Sequence, residues 1–163
     1  MKSAVTQHIR RLATALVLLF GLSLQAAEAK TALILYYYKP TIDYGNLGKA
    51  YAIMLGNLLG HFKFNGKPVE VTLLPIDSYV AGRVNAYDTI FYMGSYYDNA
   101  LPPAFLTDIL ATSKTVVWFK NNLWKLAWDP DYSDAFLNKF GFSFDGMVGA
   151  AFMPTMPSKE KPN

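Results

Sequence analysis

The side chains able to do chemistry gather at three places in this sequence: Asp43, Tyr44 and Asn46; Ser95, Tyr97 and Asp98; and Asn121, Asn122 and Trp124. A pair of carboxylates such as Asp43 and Asp98 is the equipment of glycosidic acid/base catalysis. The same two residues would equally serve as Asx-turn acceptors that shape their own loops. Ser95, in Tyr92-Met93-Gly94-Ser95-Tyr96, stands where a nucleophile at a sharp turn after a strand would stand, although the run does not meet G-x-S-x-G. Such a serine needs a base. His61 sits at the far end of the first helix, about 20 Å away at roughly 1.5 Å per residue. That position predicts a residue answering the helix C-terminus, not a catalytic partner of Ser95.

Absences exclude more. The chain has no cysteine, which removes a thiolate nucleophile, disulfide chemistry and thiolate metal sites. Gly45 and Gly48 are spaced G-x-x-G, short of either the dinucleotide fingerprint or the P-loop, so no cofactor is expected. No basic cluster exceeds two residues, and Arg83 is the sole arginine beyond Arg11; nucleic acid is not an expected partner. What remains is aromatic: Tyr36, Tyr37, Tyr38, Tyr44, Tyr96, Tyr97, Trp118, Trp124 and Trp128. Aromatic faces beside amides and carboxylates suit sugar rings, which present apolar C–H faces and a rim of hydroxyls. Alternate strand residues face opposite ways, so Tyr36 to Tyr38 cannot all face one ligand.

The elements that must position these residues follow from periodicity. Apolar runs at Thr31–Tyr37, Val69–Ile76, Tyr87–Met93 and Lys114–Phe119 read as strands, and continuous apolar runs are the mark of buried parallel strands. Leu47, Ala50, Tyr51, Met54, Leu55, Leu58, Leu59 and Phe62 recur at helical spacing, which predicts a helix over Asn46–Phe62 with Asn46 as N-cap. Gly56 and Gly60 in that helix offer a seam for close packing on the sheet. Asn65-Gly66-Lys67-Pro68 is a turn. Asp77-Ser78 predicts the start of a short helix through Asn85. Further helices are expected at Pro102–Thr112 and Tyr132–Phe140, the second closed by Gly141, with a helical turn at Asn121–Trp128 and an extended or irregular Phe142–Met153. Strand and helix alternate, which predicts an α/β domain with a mostly parallel sheet. In such sheets the ligand crevice lies beyond the carboxyl ends of the strands, where all three polar groups fall.

The ends read differently. Lys2, Arg10 and Arg11 precede the uncharged run Leu12–Leu24 and the small-x-small triplet Ala27-Glu28-Ala29. This is the order of a secretory signal peptide; the run is shorter than the roughly 20 residues that span a bilayer. The expectation is therefore a leader over residues 1–29, an exported domain over 30–153 with no membrane attachment after cleavage, and a disordered Pro/Lys tail over 154–163 that marks a truncation point. Removing the leader lowers the formal charge from +3 to about +1.

Four phrases carry a family likeness: Leu33-Ile34-Leu35-Tyr36-Tyr37; Tyr51 to Phe62; Tyr92-Met93-Gly94-Ser95-Tyr96-Tyr97-Asp98; and Trp118-Phe119-Lys120-Asn121-Asn122-Leu123-Trp124. Together they resemble the N-terminal, class I glutamine-amidotransferase-like domain of exported bacterial polysaccharide-deacetylase-like proteins, a family described mainly as a domain of unknown function. The resemblance implies a Rossmann-like domain ahead of a metal-dependent deacetylase barrel. Neither an Asp-Asp nor a His-x-x-x-His metal motif occurs in these 163 residues, so the deacetylase activity does not carry over. The fold expected is a three-layer α/β/α sandwich, flavodoxin- or amidotransferase-like, with strand order 2-1-3-4. The function expected is a non-catalytic exported accessory domain, periplasmic or extracellular, that binds a glycan or packs against a deacetylase domain in cis or in trans. Its ligand-binding residues are Asp43, Tyr44, Asn46, Ser95, Tyr97, Asp98, Asn121, Asn122 and Trp124. The alternatives are a hydrolase using Asp43, Asp98 or Ser95, and a truncated relic without independent function.

Overall fold

The structure, a computed structural model, describes residues 29–42, 45–144 and 146. Its spine is β1 (Thr31–Tyr36), buried from Ala32 onward. β1 pairs in parallel with β4 (Glu70–Pro75) on one side and β5 (Thr89–Gly94) on the other, and β5 pairs in parallel with β6 (Thr115–Lys120). The sheet order is β4-β1-β5-β6. Numbered among themselves in chain order, these four strands lie 2-1-3-4, as expected. Alternation along β1 feeds two cores. Leu33, Leu35 and Tyr37 join one, and Ile34 and Tyr36 the other.

Helix α1 (Leu47–Gly60) covers the Ile34 side, where Ala52 is buried. Gly56 earns its place there, since a Cβ on it would lie 3.3 Å from the Leu73 side chain. Gly60 has nothing within 4 Å, so the expected two-glycine seam is a single contact. The opposite face is covered by α2 (Pro103–Ala111), the short α3 (Trp124–Ala127) and α4 (Ser133–Phe140). Phe105, Ile109, Leu126 and Phe136 fill the larger core with Leu33, Leu35, Ile90 and Tyr92. The result is the three-layer sandwich. α4 closes at Gly141 in the left-handed region, φ 74°, and Lys139 donates to the carbonyls of Leu110 and Thr112 at the end of α2.

Three local expectations change. Asn65 and Gly66, both with φ above +50°, do more than turn the chain: they close a two-residue ribbon of β2 (Lys63–Phe64) and β3 (Lys67–Pro68), as Asn-Gly turns favour. The helix expected after Asp77 is two 3₁₀ turns, Ile76–Ser78 and Arg83–Ala86. Gly82, at φ 79°, interrupts the run. Asn46 is itself helical and makes no side-chain capping bond. Phe142 to Phe144 is irregular, as expected; the expected leader up to residue 28, the last residues assigned to the domain and the tail over 154–163 lie outside the described residues.

The amino edge is held by Asp88. Its carboxylate accepts from the Thr31 backbone N–H (2.9 Å), the Thr31 hydroxyl (3.1 Å) and Lys30 (3.0 Å). The Thr31 N–H, followed by Lys30, lowers its pKa from 3.8 to about 2. The folded chain therefore releases this proton more readily than the unfolded chain does. The associated stability is present above about pH 4 and disappears as pH falls toward 2. In urea titrations, Asp88→Asn is expected to lower the midpoint at neutral pH and to lose less stability than the native chain between pH 4 and 2.

Candidate functional site

At the carboxyl edge the loops after β5 and β6 are joined by one buried amide. Asn122 is 0 % exposed. Its Nδ2 donates toward Asn99 Oδ1 (2.6 Å), the Tyr96 carbonyl (3.0 Å) and the Tyr92 hydroxyl (3.1 Å). Two hydrogens face three acceptors, so one is shared. The Tyr92 hydroxyl lies 3.4 Å from Asn99 Oδ1 and donates to it. Burial pushes the Tyr92 phenol up to about 12, against the opposing pull of its Asn122 and Asn99 bonds, so it stays a neutral hydrogen-bonding group. Backbone closes the same junction. The Asn121 N–H donates to the Gly94 carbonyl (3.0 Å), and the Trp118 indole donates to the Asn121 carbonyl (2.8 Å). Only glycine fits at Gly94, where a Cβ would lie 2.3 Å from the Asn121 carbonyl oxygen.

This junction sets up a ledge of aromatic rings. Tyr97, 62 % exposed, packs on Trp124 with ring centroids 5.0 Å apart. Trp128 follows at 6.4 Å from Trp124, and Phe144 at 5.3 Å from Trp128; the Trp128 indole donates to the Phe144 carbonyl. Asp98 edges the ledge, accepting from Lys125 Nζ (2.7 Å) and from the Trp124 indole (3.2 Å). The bond from Lys125, then that from Trp124, holds the Asp98 carboxyl below its usual range. A general acid in glycosidic cleavage needs the opposite shift, so the surroundings of Asp98 do not favour that role. Asp98, Lys120 and Asn122 all have positive φ (54°, 63° and 73°). With Asn65 in the ribbon they are the non-glycine residues of this kind among the described residues. Three costly backbone conformations thus collect at one edge, as they do at functional sites.

A second feature lies on the α1 face of the sheet. It is an apolar groove of about 440 Å³ lined by Tyr51, Met54, Leu55, Met93, Phe119, the Gly94-Ser95 turn and Lys120. Ser95 belongs to it, while Tyr97, Asp98, Asn122 and Trp124 do not.

The seven expected site residues that the structure describes divide between the two features. Tyr97, Asp98 and Trp124 come together. Asn122 is corrected from ligand contact to buried positioning amide, because no ligand can reach it. Asn121 acts through its backbone. Ser95 turns to the other face, and Asn46 is exposed at the start of α1. Asp43 and Tyr44 lie outside the described residues. Ser95 and His61 are not brought together: the Ser95 side chain abuts Gly48 in the first turn of α1, and exposed His61 caps the other end of that helix, about 20 Å away at roughly 1.5 Å per residue. Among the described residues no three His, Cys, Asp or Glu side chains group to hold a metal, and no helix is long and apolar enough to cross a membrane.

Asn99 and Lys125 escaped the sequence reading, and Trp128, named there among the aromatic residues, was not among the expected ligand contacts. Trp124 and Trp128 are four apart in a helical turn, a spacing that places both on one face, and this was the available signal. Asn99 gave none, since its role depends on a partner 23 residues away. Compared with known protein families, curated proteins and solved structures, the chain finds no match. The likeness to deacetylase-associated domains rests on the sequence phrases alone.

Removing the Asn122 amide leaves the Tyr92 hydroxyl, Asn99 and the Tyr96 carbonyl short of a buried donor, a loss worth about 1–3 kcal/mol. Asn122→Ala is expected to destabilise the protein by about 2–3 kcal/mol in urea unfolding. Asn122→Gly is expected to cost about 1 kcal/mol less, because glycine accepts the left-handed backbone.

Proposed function

We propose that this chain is a non-catalytic, exported binding domain that takes a glycan on the Tyr97–Trp124–Trp128 ledge. The observation that carries the reading is the pairing of a ring cluster with a charged, hydrogen-bonded rim. Tyr97 and Trp128 are exposed and Trp124 is half-buried between them, and Asp98 and Lys125 lie at their border. A sugar ring needs both, an apolar surface for its C–H face and polar groups for its equatorial hydroxyls. The buried Asn122 amide and the Gly94–Asn121 backbone bond hold the two loops in register, so the ledge is preorganised and little ordering entropy opposes binding. The role is accessory: the domain holds a polymer for a catalytic domain, in the same chain or another, of the deacetylase type that the sequence phrases resemble.

Isothermal titration with N-acetylglucosamine oligomers tests this reading. Stacking of a planar ring on an aromatic side chain is worth about 1–3 kcal/mol for nucleobases, and that scale is borrowed for a sugar face. Trp124→Ala is then expected to weaken binding about tenfold, about 1.4 kcal/mol being one decade. Asp98→Ala is expected to weaken it less. Absence of heat with every oligomer tried, or an unchanged affinity in Trp124→Ala, would remove the proposal.

A further inference from the structure

Helix α1 reads Leu-Gly-Lys-Ala-Tyr-Ala-Ile-Met-Leu-Gly-Asn-Leu-Leu-Gly, and Lys49 is its one charged residue. A helix at the surface of a domain carries one apolar stripe, and a helix that is apolar all round belongs inside. The inner stripe of α1 is accounted for, since Ala52, Leu55 and Leu59 pack on the sheet with Ile34 and Val71. Tyr51, Ile53, Met54 and Leu58 are left exposed, Met54 by 67 %. The sheet beside α1 is in the same condition. The helix packs chiefly over β4 and β1, and among the described residues no helix covers that face of β5 and β6. There Phe91 and Met93 are half-buried, Phe119 is 40 % exposed, and Phe91 stacks on Phe119 with ring centroids 6.5 Å apart. The groove lined by Tyr51, Met54, Leu55, Met93 and Phe119 is the step between the raised half of this face and the bare half.

A face of this shape is complementary to itself. Rotation about a two-fold axis that runs along the step sets the ridge of each copy into the vacancy of the other, and such an interface closes on itself. We infer that a second copy of this chain covers the face, with the two α1 helices side by side and parallel between the two sheets. Each exposed part of α1 then has a partner. Ala50, Ile53 and Met54 on its outer side meet the bare β5–β6 strip of the other copy, and Tyr51 and Leu58 on its flank meet the same residues of the other α1. At about 100° per residue, Lys49 stands about 200° from Tyr51, on the opposite flank, where its ammonium lies 4.9 Å over the Tyr38 ring. No charge of α1 therefore enters the pairing. Lys120 is exposed at the carboxyl-edge end of the groove, where a long side chain reaches water. The helix is about 21 Å long, and two helix widths of about 10 Å give roughly 400 Å² in projection from each copy, before ridge and groove add relief. That lies at the lower end of specific interfaces, and the expected dimer is of micromolar strength. Contiguous apolar residues at a surface mark such a contact, where single ones do not.

Sedimentation equilibrium of the purified protein across the micromolar range is expected to show a reversible monomer–dimer equilibrium. Met54→Lys and Phe119→Lys change exposed side chains on the two halves of the face, so neither opens the core, and each is expected to weaken the dimer about tenfold or more. Trp128→Ala, on the ledge, is expected to leave it unchanged. The native chain has no cysteine, so a single engineered thiol reports position cleanly. Parallel helices about a two-fold axis bring Leu58 opposite its own copy. Leu58→Cys is therefore expected to give a disulfide-linked dimer on mild oxidation. Leu137→Cys, at a similarly exposed position (49 % against 55 %) on α4 at the other face of the sheet, is expected to stay unlinked. A monomer at every concentration would overturn the inference, whether the face is then open, filled by a helix of another protein or covered by this chain itself. So would a dimer indifferent to both lysine variants, or one that links through Leu137→Cys and not through Leu58→Cys.

Discussion

Much of the carboxyl edge depends on a single buried amide. Asn122 sits in a left-handed conformation with no exposure, and its Nδ2 is the donor toward which Asn99, Tyr92 and the Tyr96 carbonyl converge. Three acceptors converging on one buried Nδ2 specify the arrangement of the loops it joins, because moving either loop strips them of their shared donor; the Asn122 Oδ1 itself is buried without a partner among the described residues. Tyr97 and Asp98 lie within the span between Tyr96 and Asn99, and Trp124 and Lys125 follow Asn122 by two and three residues. The amide therefore fixes two short segments from different strands so that a ring meets a ring and a carboxylate meets an ammonium. The Asp98–Lys125 pair is exposed and adds little to stability; its consequence is orientation.

The two faces of the sheet are unequal. On the Leu33 side three helices and a row of aromatic rings close a continuous core. Tyr92, Phe105 and Trp118 lie there within ring–ring contact. On the Ile34 side a single helix packs chiefly over β4 and β1, and Phe91, Met93 and Phe119 are only partly covered. The same alternation that gives β1 two buried faces thus leaves β5 and β6 with one well-filled face and one accessible face. The ledge and the groove flank the junction of Gly94 with Asn121, and that junction admits no side chain at Gly94.

The strands and their order were legible because each is a short apolar run bounded by turn residues, and because alternating strand and helix allow few topologies. Leu33 to Tyr36, Ile90 to Met93 and Val116 to Phe119 all pair where such runs must. Gly141 was legible as a helix stop because its left-handed φ is what glycine supplies. The Arg83–Ala86 segment was not, since its capping residues were present but Gly82 breaks the run. The site was legible as a place and not as an arrangement. Asn122 and Asp98 both stand in polar loops, yet one is fully buried and the other exposed, and only tertiary packing separates them. Ser95 and Tyr97, two residues apart, border different features, the groove and the ledge. No local pattern announces that the chain turns between them.

The account rests on the ledge being the surface that meets a sugar, and the three tryptophans of the chain report on it independently. Trp124 and Trp128 belong to the ledge, while the Trp118 indole is tied to the Asn121 carbonyl beneath it. Indole N–H resonances followed during titration with an N-acetylglucosamine oligomer give the direct measurement. The account predicts saturable shifts of Trp124 and Trp128 with Trp118 nearly still. Three unmoved indoles at saturating oligomer, or a shift confined to Trp118, would contradict it.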